Sequence, residues 1–390
     1  MDDAAVRAVG RLTTRWAARA VTGERGTVLT AAGVWPLLAL LADGADGPAR
    51  AELAEALGIP AGSAARAARD LLGALAGVRG LEAATGLWTR AGLPLEEPWR
   101  VRLPEGARGV LSGDAESDAG TLDAWASERT GGLIERMPVA VRRDTLLVLA
   151  SALALRLKWI RPFSPWCPEL TEGPWAGREV SGLYRETALL DRVRVARTPA
   201  GPVTLLEVVG DTGVDVHLVL GEPGEVLAGG IAAATRTIPA TGASLLPEGE
   251  PGPGLSIGTV ASGSREPRLS VETVAFSVDA DHDLLGQAAL FGLGSASDVR
   301  SGHFPGISGT PLAVGSARQV AVARFDAEGF EATAVTAAGL AAGCAEPRLA
   351  YRVRHAEVRF HRPFGFVAVH RTSRLVLAAG WVNDPAIVSG

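Results

Sequence analysis

The hydrophobic periodicities predict an α+β fold. Helical spacing fills the first hundred residues, two-residue alternation dominates from Val193 onward, and no β–α–β alternation links the two. That order calls for large, mainly antiparallel sheets rather than a doubly wound parallel one. Apolar residues make up 47% of the 390 and charged residues 21%, a balance that buries a large core and excludes a disordered chain. No repeat, charge block or rich linker divides the sequence, so one domain over 1–390 is expected.

Taken in order, Val6, Val9, Leu12, Trp16 and Val21 predict a helix over Ala4–Val21, and the pattern repeats over Ala49–Leu57 and Ala64–Leu75. Gly44, Gly47, Pro48, Gly58 and Pro60 punctuate these helices. The apolar run from Val28 to Ala42 reads as buried core. A strand follows over Ala83–Thr89, then a helix over Asp123–Met137 and a long buried strand over Thr145–Lys158. Val203–Val209 and Val214–Leu220 flank Asp211-Thr212-Gly213, a hairpin signal. Further strands are expected over Arg268–Val278, Gln319–Phe325, Glu357–Phe360, Phe364–His370 and Leu375–Val382. Asp283–Phe291 and Ser295–His303 read as helical or loop-like.

Charge and composition narrow the function classes. With 38 basic against 43 acidic residues the net charge is -5, so no basic excess exists to neutralise nucleic-acid phosphates. Lys158 is the only lysine, a pattern of GC-rich coding that weakens any function read from arginine count alone. Leu146–Leu155 is about half the length that spans a bilayer. The chain opens Met1-Asp2-Asp3, with no signal peptide, so the expectation is a cytoplasmic protein with no membrane partner; export by another route stays open. Cys167 and Cys344 make neither a disulfide framework nor a zinc site, and read as free thiols in a reducing compartment. No metal or cofactor is expected.

Catalytic motifs fare poorly. Gly254-Leu-Ser256-Ile-Gly258 has the spacing of a nucleophile elbow but follows a Pro-Gly-Pro loop instead of a strand. A phosphate loop would need a lysine after its last glycine, which the lone Lys158 cannot supply. Gly292-Leu-Gly294 is not framed by a βαβ unit. His282, in Asp281-His-Asp283, is read as part of an exposed turn capping a helix that begins near Asp283.

Three segments in fixed order carry a stronger signal. Residues 123–163 include Asp-Ala-Trp-Ala-Ser-Glu-Arg-Thr-Gly-Gly and end Leu-Lys-Trp-Ile-Arg-Pro-Phe. Residues 303–339 include His-Phe-Pro-Gly-Ile-Ser and Arg-Phe-Asp-Ala-Glu-Gly-Phe-Glu-Ala-Thr-Ala-Val-Thr-Ala-Ala-Gly. Residues 360–385 include Phe-His-Arg-Pro-Phe-Gly-Phe and Ala-Ala-Gly-Trp-Val-Asn-Asp-Pro. Together they resemble the serpin family, in a bacterial-type form, from about Arg7 to Pro385.

The resemblance implies about nine helices around three mainly antiparallel sheets. It also implies an exposed reactive loop, here placed at 326–356 with its hinge. A target serine or cysteine protease attacks such a loop, which then inserts as an extra strand into the central sheet and drags the trapped protease with it. The expected protein is a monomer that binds no nucleic acid. The hinge would run through Gly329, Phe330, Glu331, Ala332, Ala334 and Thr336. With Phe330 facing inward on insertion, Ala332, Ala334, Thr336 and Ala338 follow it, a small set that needs little opening of a packed core.

Departures from the family pattern are equally specific. Inhibitors usually carry Thr or Ser where this chain has Phe330, an aromatic that risks overpacking by about 1–3 kcal/mol unless the core has a matching space. The family's hinge Glu is Ala327. Its polar cluster where the central strands part becomes Ser151, Gln319 and Thr30 with Gly33, while Trp159 matches the tryptophan at the insertion point. Counting forward from Gly329 puts the scissile bond at Gly343-Cys344. Counting back from Glu357–Phe364 puts it near Arg352, and Pro347-Arg348-Leu349 would suit a trypsin-like protease. Covalent trapping of a protease is therefore weighed against two others: a non-inhibitory serpin-fold binder of a partner or small ligand, and a co-opted enzyme using Cys344 beside the His- and Arg-rich Arg352–His361.

Overall fold

A computed structural model describes residues 2–222, 226–330 and 349–387. The helical third comes first. In α1 (Asp3–Ala20) the Asp2 carboxylate accepts from the Ala4 amide at 2.9 Å, and Val9, Leu12 and Trp16 face the core. After β1 (Thr27–Leu29), α2 (Ala31–Gly44) is buried on nearly every side, as an apolar run without helical stripe requires. Then come α3 (Gly47–Leu57), stopped by Gly58 in the left-handed region, and α4 (Ala61–Ala76). The next elements are β2 (Leu81–Arg90), α5 (Glu97–Arg100) and β3 (Arg108–Leu111).

Helix α6 spans Ala115–Arg129 rather than 123–137. Asp114 starts it by accepting from the Ser117 amide at 2.9 Å, and Gly131 and Gly132, both at positive φ, end it. The strand expected over 145–158 is interrupted. The Arg156 amide donates to Gly80 outside the ladder, which separates β4 (Leu147–Leu155) from β5 (Leu157–Lys158).

The second half is sheet. Strands β6 (Ser164–Trp166), β7 (Gly182–Thr187) and β8 (Val193–Thr198) lead to the hairpin of β9 (Gly201–Val209) and β10 (Val214–Leu220), turned at Gly213. Helix α7 (Val226–Ala234) precedes β11 (Ala240–Gly242), β12 (Gly249–Gly252) and β13 (Leu255–Ser262). The run 268–278 divides at Ala275 into β14 (Arg268–Val274) and β15 (Phe276–Asp283), which join different sheets. Only Ala288–Phe291 of the expected 283–291 segment is α-helix, here α8. The chain finishes with β16 (Val314–Phe325), β17 (Gly329–Phe330), β18 (Tyr351–Arg359), β19 (Phe364–His370) and β20 (Val376–Val382).

Eight α-helices and three sheets stand among the described residues. The central sheet runs β3-β2-β4-β16, with β15 on the far side of β16 and the short β17 and β5 at one end. A second sheet runs β1-β20-β19-β10-β9-β8-β11 and a third β12-β13-β18-β14-β7-β6. Pairing is antiparallel except for β2–β3, β14–β18 and β4–β16. Trp88, Leu111, Leu122 and Val148 pack the α6 side of the central sheet, while its other face joins a continuous core that runs from Ala5 to Val382. Among the described residues no helix is long and apolar enough to cross a membrane.

Candidate functional site

Strands β4 and β16 lie side by side and parallel, from Val314 opposite Leu147, past a one-residue bulge before Ser316, to Ala321 opposite Leu153. Past that point β17 sits between β16 and β5, antiparallel to both: Phe330 opposes Phe325 on one side and Leu157 on the other, and Gly329 opposes Lys158. The turn into β17 is held by Asp326, whose carboxylate accepts from the amides of Glu328 at 2.8 Å and Gly329 at 3.0 Å. The acid thus stands one residue before Ala327, where the family pattern has its Glu. Trp159 fastens the turn, its indole donating to the Asp326 carbonyl at 3.0 Å and its amide to Glu328 at 2.9 Å. Gly329 is required by space: a Cβ there would sit 2.2 Å from the Leu157 carbonyl oxygen.

Phe330 is 1% exposed, its ring centroid 6.1 Å from that of Phe366. Phe276 stacks on Phe325 at 5.2 Å and touches Phe366 at 5.3 Å, so Phe330 meets an aromatic cluster built by three strands. The anticipated overpacking has its matching space here.

Lower in the seam, four polar residues form a row across four neighbouring strands. Thr85 on β2 opposes Ser151 on β4, Ser151 opposes Gln319 on β16, and Gln319 opposes His282 on β15. All four are buried. The Gln319 carboxamide donates to the Thr30 carbonyl at 2.6 Å and accepts from the Thr30 amide at 3.1 Å, tying β16 to the start of α2. The Ser151 hydroxyl finds no partner among the described residues and packs on Gly33, where a Cβ would come within 2.3 Å of it. No side-chain hydrogen bond of Ser151 or Gln319 therefore crosses the seam.

His282 was misread from the sequence. It is no exposed turn: it lies on β15, bonded to the Val28 carbonyl at 2.9 Å and edge-on to Trp16 at 5.0 Å. Burial lowers its pKa, partly offset by that carbonyl and by Asp281. The capping part of the expectation belongs to Asp283, which accepts from the Leu285 and Gly286 amides. The missed signal was alternation, since Phe276, Val278, Ala280 and His282 point inward between exposed Ser277, Asp281 and Asp283.

Thr30, Gly33, Ser151 and Gln319 are thus brought together, and Trp159, Gly329 and Phe330 form a second group above them. Glu331, Ala332, Ala334, Thr336, Gly343, Cys344 and Arg348 lie outside the described residues. Leu349 is exposed, and Arg352 is inside β18 opposite Ala261. Ser256 lies on strand β13 and Gly292 closes α8, so neither motif has its catalytic context. Of the histidines near the loop end, His355 contacts the Ser270 hydroxyl at 3.0 Å and His361 the Glu272 carboxylate at 3.1 Å. Among the described residues no cluster of His, Cys, Asp and Glu is arranged to hold a metal.

The family model described as Serpin (serine protease inhibitor) matches residues 11–171 and 262–385. Human thyroxine-binding globulin in complex with thyroxine superposes with a TM-score of 0.72 at 16% identity, covering 98% of each chain. Native protease nexin-1 with heparin gives 0.71 at 17%, again over 98% of each. Serpin48 of the insect Tenebrio molitor gives 0.70 at 18%, over 97% of each. Among curated proteins none matches the sequence.

Proposed function

The chain belongs to the serpin family, and on that premise we propose that it is a protease inhibitor acting by covalent trapping and loop insertion. The observation that carries the reading is β17. Gly329 and Phe330 already form the first rung of a strand antiparallel to both β16 and β5. Continued in the same direction, the chain after Phe330 would run down the β4–β16 seam and replace one parallel ladder by two antiparallel ones. Each inserted residue gains roughly 0.5–1.5 kcal/mol of net ladder hydrogen bonding. Only backbone pairing has to part at Ser151 and Gln319, and the small inward set Ala332, Ala334, Thr336 and Ala338 suits the opening.

In this reading the protease nucleophile attacks a loop carbonyl, and the scissile C–N bond breaks with the new amino terminus leaving as a protonated amine. Insertion then drags the resulting acyl-enzyme along and distorts its site before water can hydrolyse the acyl bond. Arg352 is committed to β18, which favours the bond counted forward from the hinge, Gly343-Cys344. The partner would be a serine or cysteine protease. Incubation with a panel of such proteases tests the proposal: it requires an SDS-resistant complex with at least one, and clean cleavage by all without a complex would overturn it.

A second reading, a serpin-fold protein that holds a small ligand, is favoured by one feature. A cleft of about 670 Å³ opens between α1 and α7, lined by apolar Val6 and Ile231 with Arg7, Arg11 and Arg374. Thyroxine-binding globulin, of like fold, carries thyroxine.

A further inference from the structure

A different cluster, unused by insertion, lies on the second sheet at the C-terminal end of α7. His217 on β10 is 7% exposed, and its Nε2 is buried with no hydrogen-bond partner among the described residues. The ring lines a cavity of about 20 Å³ together with Arg192, Arg194, Glu207, Arg236 and Arg374. That volume suits a single water-sized atom, and the surrounding charge selects its sign.

Glu207 is neutralised by Arg192 at 2.5 Å. Asp215, the other carboxylate acting on the ring, is held at both oxygens by Arg371, at 2.6 and 2.9 Å. Arg194, Arg236 and Arg374 have no ion pair among the described residues, and burial beside Arg236 lowers the pKa of Arg374. Four arginines against the single carboxylate of Glu207 leave the lining with a net positive charge, which a bound anion would balance. Arg236 and Arg374 are also the two non-glycine residues with positive φ among those described, and both line this cavity. The left-handed backbone has a local cause at each. Arg236 stands just past the end of α7, with its amide donating to Ala233 and the Thr237 amide to Ala232, and Arg374 sits in the β19–β20 turn with its amide donating to His370.

We propose that this pocket binds a small inorganic oxoanion of the sulfate or phosphate class, one oxygen entering against His217 Nε2 and the others meeting Arg194, Arg236 and Arg374 at the mouth. Guanidinium groups match tetrahedral oxoanions as bidentate donors. The neutral imidazole supplies one N–H, in the tautomer that carries the proton on Nε2. Burial, reinforced by Arg194 and Arg374 and opposed by Glu207 and Asp215, keeps the free ring uncharged down to about pH 4. A bound anion favours the charged ring and so raises that value.

The test is a titration of the intact protein with sodium sulfate at constant ionic strength, following the histidine ring nitrogens by NMR and the melting temperature in parallel. His217 Nε2 should shift saturably, its pKa should rise with sulfate present, and the melting temperature should keep climbing with the logarithm of sulfate concentration above the Kd. The double variant Arg236→Gln, Arg374→Gln should bind at least about tenfold more weakly, from the loss of charged hydrogen bonds. An unmoved His217 resonance, a ring pKa indifferent to sulfate, or an equal rise of melting temperature in the double variant would overturn the assignment. Should the double variant not fold, the ring titration of the unmodified chain decides alone.

Discussion

Gln319 and Thr30 exchange two hydrogen bonds, side-chain amide to carbonyl at 2.6 Å and backbone amide to side-chain oxygen at 3.1 Å, across 289 residues of sequence. They anchor β16 to the start of α2 while the Ser151 hydroxyl on the neighbouring β4 has no partner among the described residues. Gln319→Leu should therefore destabilise by about 1–3 kcal/mol, because it strands the buried Thr30 amide and leaves the Thr30 carbonyl only the Gly33 amide. Ser151→Ala should stay within about 0.5 kcal/mol of the parent, since its hydroxyl has no bond to lose. Urea unfolding midpoints of the two variants check the contrast, and equal losses would contradict it.

Phe330 fills a built aromatic space, so shortening it removes packing rather than relieving strain. Phe330→Ala should lose about 3–5 kcal/mol, in the range for deleting a buried aromatic. As an inhibitor the variant should also yield less trapped complex per cleaved loop, because the first rung loses the ring that seats it against Phe366. A higher ratio of complex to cleaved loop would show that the ring obstructs insertion.

Gly329→Ala places a methyl against the Leu157 carbonyl, where backbone rather than a flexible side chain must give way. Amide exchange at Phe330 and Trp159 should speed up as β17 leaves the sheet. Unchanged protection would mean that the turn at Asp326 holds β17 without help from the β5 contact.

Acid should weaken the fold through buried histidine. Burial lowers the pKa of His217 to about 4, and in the same direction those of His282, His355, His361 and His370. The unfolded chain takes up these protons near pH 6.5, the ordinary histidine value, while the folded chain does not. Stability is thus complete above about pH 6.5 and falls as pH drops, His217 alone accounting for roughly 3 kcal/mol by pH 4. Unfolding curves in buffers free of sulfate and phosphate should show this slope, flattened in His217→Gln. A parent without the slope would contradict neutral burial.

Much of the helical half was legible because local signals decide it: α1, α3 and α4 follow their apolar spacing and their caps. Helix α6 lies eight residues earlier than its expected range because the Asp114 cap and the Gly131-Gly132 stop set its ends. His282 was lost by treating two flanking aspartates as a turn and ignoring the alternation that begins at Phe276. The seam residues Thr30, Ser151 and Gln319 were found through family likeness, but the row they form with Thr85 and His282 depends on registers no local pattern encodes. The same holds for the seat of Phe330, since Phe276, Phe325 and Phe366 reach it from three separate strands. The arginines around His217 come from β8, the segment after α7 and the β19–β20 turn, so only the fold brings them together.

The central claim is that the chain beyond Phe330 completes the central sheet, and melting of intact against loop-nicked protein tests it most directly. Nicking between 337 and 350 frees the segment to run down the seam from a rung that already exists. Over about ten residues the gain of ladder hydrogen bonds, roughly 0.5–1.5 kcal/mol each, exceeds the cost of parting β4 from β16, which each re-pair with the new strand. The nicked protein should melt higher by tens of degrees, on the order expected from the relation of stability to melting temperature. A nicked protein that melts where the intact one does would show that no strand is added, and trapping by insertion would be excluded.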